Sequence, residues 1–212
     1  MHLMLYLDKD MKYKVDFAFL DSGTGGLPYL LHLREKNPFA SCVYFADTKN
    51  FPYGEKKHDE IVDCTVEACR FLIKNFSPKV IVIACNTMSV NSLSVLREVF
   101  PDIAFVGTVP AIKLASEISV KKRIGLLATK STIDNPYNLD LKKHFANDCE
   151  LFCRADPELI SFIEHKSFDA SFEECRKACV PAVEFFSKND CDVIILGCTH
   201  FLNIVNVIQT VA

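Results

Sequence analysis

The sequence predicts an α/β fold: two similar, pseudo-duplicated parallel-sheet domains facing each other across a shared site. Three observations carry this. Short apolar runs alternate with helical patterns along the whole chain, as right-handed strand–helix–strand crossovers require. The runs are apolar on both faces, which suits parallel strands covered by helices on both sides. One strand end is also written twice, as "VIVIACNT" (80–87) and "VIILGCTH" (193–200).

The elements follow in order. "KVDFAFL" (14–20) reads as a strand and "LPYLLHLREKN" as a helix; "CVYFAD" (42–47) is the next strand. A long helix is expected over 55–76, with Ile61, Thr65, Ala68, Cys69 and Leu72 toward the core. "KVIVIAC" (79–85) and "IAFVGTV" (103–109) are strands, joined by a helix through Val90, Leu93, Leu96 and Val99. After Pro110 the scheme restarts: helix 110–119, strand "RIGLLAT" (123–129), a helix near 131–146, and strand "CELFCRA" (149–155). Helices over 157–166 and 171–188 lead to strand "DVIILGC" (192–198) and a last helix, "FLNIVNVIQTVA". From Leu20 to Ala128 is 108 positions and from Cys85 to Cys198 is 113, two offsets close enough to suggest duplication. The expected domains are 1–109, with an N-terminal extension over 1–13, and 110–212. The second is expected to be truncated, since its last helix reaches the terminus without a capping glycine or basic last turn.

Composition narrows the class. Half of the 212 residues are hydrophobic and 24% are charged, an ordinary globular balance. The formal net charge of −3 offers no basic surplus for a nucleic acid backbone. No apolar run reaches the length of a membrane span, and the start lacks the cleavage pattern of a secretory signal. The ten cysteines fall mostly in strand and helix patterns. Buried free thiols in a reducing cytoplasm are expected, and no spacing suits a zinc site. Lys121, Lys122 and Arg123 are expected to be solvated surface.

Ligands of parallel α/β sheets bind beyond the carboxyl ends of the strands, and the suggestive clusters all sit there. "DSGTGG" (21–26) follows the first strand; its glycines allow tight turns and close approach, and the following helix start can hold a carboxylate or phosphate. It is not a dinucleotide fingerprint, because its spacing is G-x-G-G and Pro28 stands where the last glycine belongs. "FPYG" (51–54) reads alone as a turn with Tyr53 packed inward. "ACNT" (84–87) and "GCTH" (197–200) each place a thiol at a strand end before a helix start, where thiolate is favoured. Asn86, Thr87 and Thr199 add neutral hydrogen-bond partners, and His200 can orient a thiol or exchange a proton with it. Two thiols on opposite sides of one ligand suit a stereoinversion: one removes a proton from carbon and the other delivers one to the opposite face.

Together, "DSGTGGL", "PYG", "ACNT", "GTVPA" (107–111) and "GCTH", in this order and spacing, resemble bacterial glutamate racemase of the aspartate/glutamate racemase superfamily. The likeness runs from about Val15 to His200. It implies cofactor-independent interconversion of L- and D-glutamate for peptidoglycan, with Cys85 and Cys198 as acid and base. It implies that Asp21, Ser22, Tyr53, Gly54, Asn86, Thr87, Thr199 and His200 hold the substrate, and that Asp21 and His200 assist proton transfer. A homodimer is also implied, with no metal or cofactor and no nucleic acid or membrane partner. The family runs on beyond this point with a further strand and helix, and "FLNIVNV" departs from its usual proline-containing sequence. Competing readings are a racemase of aspartate or another small acid, a thiol redox enzyme, and a truncated non-catalytic binding protein. A redox enzyme would want its cysteines close in sequence.

Overall fold

In the computed structural model, residues 13–212 are described, so the expected N-terminal extension lies outside the described residues apart from Tyr13. The first half builds a sheet of β1 (Phe17–Asp21), β2 (Cys42–Ala46), β3 (Val80–Ile83) and β4 (Ala104–Gly107). Its order is β2-β1-β3-β4 and every pairing is parallel. The second half builds a sheet of β5 (Arg123–Ala128), β6 (Glu150–Ala155) and β7 (Val193–Gly197), in the parallel order β6-β5-β7.

The two sheets share a plan. In each, the opening strand lies centrally and the chain crosses first to one side of it, then to the other. β3 pairs with β1 from Phe17↔Val80, and β7 pairs with β5 from Ile124↔Val193. The carboxyl ends of β1 and β3, and again of β5 and β7, therefore flank a crevice where strand order reverses. Cys85 and Cys198 stand just past β3 and β7.

The helices follow the sequence pattern with instructive differences. α1 (Leu27–Lys36) begins with proline in its first turn, where a missing N–H costs nothing. α2 starts only at His58 and ends at Phe76, because Tyr53–Glu55 forms its own 3-10 turn and Lys56 and Lys57 are extended. Its inward stripe is Ile61, Thr65, Ala68, Cys69 and Leu72, and Ser77 ends it in the left-handed region at φ 39°. α3 (Asn86–Val99) follows Cys85, and α4 (Ile112–Ile118) precedes β5. The single helix expected near 131–146 is two, α5 (Lys130–Ile133) and α6 (Pro136–Phe145). Proline disfavours helical Asn135, whose side chain instead caps α6 by accepting from the Tyr137 N–H. α7 (Pro157–His165) is capped by Asp156, and α8 (Phe172–Lys188) by a reciprocal Ser171–Glu174 box. α8 also runs through Pro181 without breaking. The last helix expected from 201 onward is split as well: a 3-10 turn covers Thr199–Ile204 and α9 covers Val205–Val211.

Two further expectations are corrected. All ten cysteines are free thiols, but Cys153 is exposed, because it sits on β6 at the edge of its sheet. The basic cluster before β5 is more than solvated surface. Lys121 pairs with Asp190 at 2.5 Å, and Lys122 donates to the Ser116 carbonyl at 2.8 Å. The Arg123 guanidinium lies 4.6 Å from the centre of the Phe152 ring. Among the described residues no helix is long and apolar enough to cross a membrane.

The apolar interior is partitioned. One cluster, including Leu20, Ile61, Leu72, Ile83 and Met88, belongs to the first sheet. Two others, around Leu127, Ile163 and Phe186 and around Ile112, Leu126 and Ile195, belong to the second. β5 and α8 meet closely at Gly125, where an added Cβ would sit 2.4 Å from Phe186 Cδ1. Gly125→Ala is expected to destabilise the protein by about 1–3 kcal/mol through overpacking. Urea unfolding checks this, and an unchanged midpoint would mean that α8 can withdraw without cost.

Candidate active site

Between the strand ends of the two sheets lies a cavity of about 500 Å³. Its wall includes Ser22, Tyr53, Gly54, Cys85 and Thr87 from the first half, and Thr129, Cys198 and His200 from the second. Of the residues singled out in the sequence, Asp21, Asn86 and Thr199 do not line it, although all three are buried. The close approach of the halves depends on glycine. A Cβ on Gly25 would lie 2.6 Å from the His200 N, and one on Gly54 would lie 2.6 Å from Thr129 Cβ.

The glycine loop behaves differently from the sequence expectation. No glycine in the described chain has a positive φ, so these glycines are needed for space rather than for backbone freedom. The anion at the start of α1 is the protein's own: Asp21 Oδ2 accepts the Gly26 N–H at 2.9 Å and the Tyr44 hydroxyl at 3.2 Å. Among the described residues Asp21 Oδ1 has no hydrogen-bond partner. Burial, only partly offset by the His200 charge and the Gly26 N–H, raises the Asp21 pKa above the carboxylate range.

The two thiols sit in unlike surroundings. Cys85 Sγ lies 3.8 Å from Ser22 Oγ. Burial above all, and then the Asp21 charge, pushes its pKa far above that of an ordinary thiol. Cys198 Sγ lies 3.4 Å from His200 Nδ1, and His200 Nε2 lies 2.9 Å from Glu164 Oε2. The side chains of His200 and Glu164 are only 2% and 9% exposed. Burial alone would lower the His200 pKa. The contacts with Cys198 and Glu164, with Asp21 beyond, outweigh burial and raise it to about 10. Burial likewise works to raise the Glu164 pKa, but the bonds from His200 and Thr24 prevail and lower it to about 2. No motif marks Glu164 in the sequence. Its only signal was a carboxylate four residues after Ile160, on the side of α7 that is otherwise apolar.

Thr129 and His165 also line the cavity, although no motif marks them. Thr87 Oγ1 lies 2.9 Å from Thr129 Oγ1, a hydroxyl contact between the halves. The Tyr53 hydroxyl is engaged by Asp47 Oδ2 at 2.5 Å, so Tyr53 offers the cavity its ring and backbone. The Phe51 ring stands 5.8 Å from both His165 and His200. Among the described residues no group of three or more His, Cys, Asp or Glu is arranged to hold a metal ion.

The His200–Glu164 pair has a consequence for stability. A group whose pKa is higher folded than unfolded contributes stability that is complete below its unfolded value and lost as pH rises through its folded value. For His200 that window runs from 6.5 to about 10. Resistance to unfolding is expected to fall across this range, and Glu164→Gln is expected to flatten the fall. Denaturation midpoints at a series of pH values check it, and parallel curves for the two proteins would exclude the pair as the cause.

Comparisons with known proteins agree with this geometry. A family model described as Asp/Glu/Hydantoin racemase matches residues 32–212. A glutamate racemase of Treponema pallidum subsp. pallidum is 42% identical over 200 residues, covering 94% of this chain and 74% of the relative. The crystal structure of Escherichia coli glutamate racemase with L-glutamate and the activator UDP-MurNAc-ala superposes with a TM-score of 0.81 at 32% identity. That match covers 93% of this chain and 74% of the other. Glutamate racemase from Francisella tularensis, in complex with D-glutamate, gives a TM-score of 0.75 at 26% identity, covering 95% and 74%. The chain belongs to the Asp/Glu/Hydantoin racemase family and is an amino-acid racemase, an isomerase.

Proposed function

We propose that the substrate is glutamate, racemised without a cofactor by Cys85 and Cys198, and that the D-glutamate made serves peptidoglycan synthesis. The observation that carries this reading is that both thiols end equivalent strands and open into one cavity from opposite halves. Relatives of the same fold hold L-glutamate in one case and D-glutamate in the other, which supports a site serving both enantiomers.

In this mechanism one thiolate takes the α-proton, breaking C–H and forming S–H. The opposite thiol then gives its proton to the other face, restoring C–H and leaving a thiolate there. His200, in contact with Cys198, serves as its proton partner. Asp21 assists from beside Cys85, whose thiol its charge helps to keep protonated. Ser22, Tyr53, Gly54, Thr87 and His200 line the cavity and hold the carboxylates. Asn86 and Thr199, buried behind the wall, contribute through the helix starts they begin, whose backbone N–H groups stabilise the carbanion.

The two domains meet after residue 109, a division supported by Ile112 and Ala115 joining the second-sheet core. A homodimer in the reducing cytoplasm is part of the proposal; family resemblance supports the dimer and ten free thiols fit the compartment.

Incubation of the purified chain with L-glutamate in heavy water tests the reading. Loss of optical rotation together with deuterium at the α-carbon is expected, with L-aspartate far slower. Cys85→Ser and Cys198→Ser are each expected to suppress racemisation by at least about a thousandfold, as loss of a catalytic acid or base does. Each retains exchange only with the enantiomer facing the surviving thiol. Normal racemisation by both variants would end the two-thiol mechanism.

A further inference from the structure

The Glu164 carboxylate carries a feature that the proposed chemistry leaves unused. Its Oε2 accepts three bonds: from His200 at 2.9 Å, from the Thr24 N–H at 3.0 Å and from the Thr24 hydroxyl at 2.6 Å. His200 and Glu164 both belong to the second half, whereas Thr24 lies in the glycine loop of the first. Gly23, its neighbour, leaves the space for this contact, since a Cβ there would stand 2.5 Å from Glu164 Oε1. A donor from one half thus shares a single oxygen with the histidine that serves the thiol of the other.

We propose that Thr24 is a positioning residue that shares Glu164 Oε2 with His200, so that closure of the two halves sets how tightly His200 keeps the proton it trades with Cys198. The reading rests on the two-thiol mechanism proposed above. A carboxylate oxygen has a limited capacity to accept. Each added donor stabilises the anion and weakens its pull on the others. A short O–H···O⁻ bond is among the stronger of these. With the halves closed, the Thr24 hydroxyl weakens the support Glu164 gives the imidazolium at Nε2, which makes the ring less basic and eases release of its Nδ1 proton toward Cys198.

Several other groups bear on the same titration. Glu164 is faced by His200 and Thr24. His200 is faced by Cys198, by Glu164, by Asp21 at the end of β1 and by the Phe51 ring. Cys198 is felt in turn by Cys85 and by Tyr29 on α1. A substitution at Thr24 changes none of these groups, so a shift in His200 reports the shared oxygen.

The test compares the parent with Thr24→Val, which keeps shape and backbone N–H but removes the hydroxyl, and with Thr24→Ser, which keeps it. Thr24→Ala serves as a second deletion should valine hinder folding. In the substrate-free protein, the titration of the His200 imidazole is followed by NMR. It is expected to move up by about half a unit or more in Thr24→Val and to return to the parent value in Thr24→Ser. In turnover, kcat is expected to fall about tenfold with little change in KM, the loss of one charge-assisted bond in the proton-transfer step. The deuterium isotope effect is expected to rise for one enantiomer of α-deuterated glutamate only. An unmoved or lowered His200 titration in the deletion variants, or serine behaving like valine, overturns the proposal. If the parent does not racemise glutamate, the substrate reading fails, while the imidazole titration still decides the role of Thr24.

Discussion

The imidazole of His200 is held between a thiol and a carboxylate in an interior that water barely reaches, and most of the site is arranged around that fact. A buried charge must be paired and hydrogen-bonded to persist. Glu164 supplies the charge from α7 and Thr24 supplies donors from the other half. The backbone at Gly23 and Gly25 stays bare enough for both approaches. The glycine loop, the α7 carboxylate and the "GCTH" strand end are therefore one structure, although 140 residues separate Thr24 from Glu164.

The duplication that produced two thiols did not produce two equal environments. Cys85 stands beside a buried carboxyl and a hydroxyl, which hold it as the thiol. Cys198 stands beside an imidazole able to take its proton. The proposed two-thiol inversion needs one site loaded and the other empty at the start of each turnover, and surroundings of opposite kind suit that difference. Strict symmetry would leave the two states equally populated and half of the molecules wrongly loaded for a given enantiomer.

The fold was legible in the sequence wherever periodicity decided it. Strand cores and the α2 stripe fell where the apolar pattern put them, because each of those runs is buried by its own half. The failures were local chemistry. Asn135 before Pro136 divided one expected helix, and Thr199–Ile204 wound as a 3-10 turn, neither of which changes the apolar pattern. Cys153 looked like its buried neighbours, and only the position of β6 at a sheet edge exposes it. At the site, the residues at strand ends could be named because parallel sheets gather them there. Glu164 could not, since its role depends on which side of α7 meets His200, and no motif records that meeting. Gly23 and Gly25 serve close approach, to the opposite half rather than to a ligand, and no turn here needs a positive φ.

The seam between the halves carries polar contacts where the cores are apolar. Buried residues of each core cluster come from one half alone. Across the seam stand Thr87 with Thr129, Asn91 donating to Ser131, Asn135 donating to Asn91, and Thr24 with Glu164. Separating an apolar interface would expose surface at about 25 cal/mol per Å². Separating hydroxyl and amide pairs exchanges each bond for one with water, at a net cost of about 0.5–1.5 kcal/mol apiece. Apart from Phe51, which packs against the second core, such a seam can part with little exposure of either core. Closing restores a set of directional bonds that fix the register of one thiol against the other. A greasy seam of the same area would hold the halves together more firmly and orient them less well, and the proposed delivery of protons to opposite faces of one carbon depends on orientation.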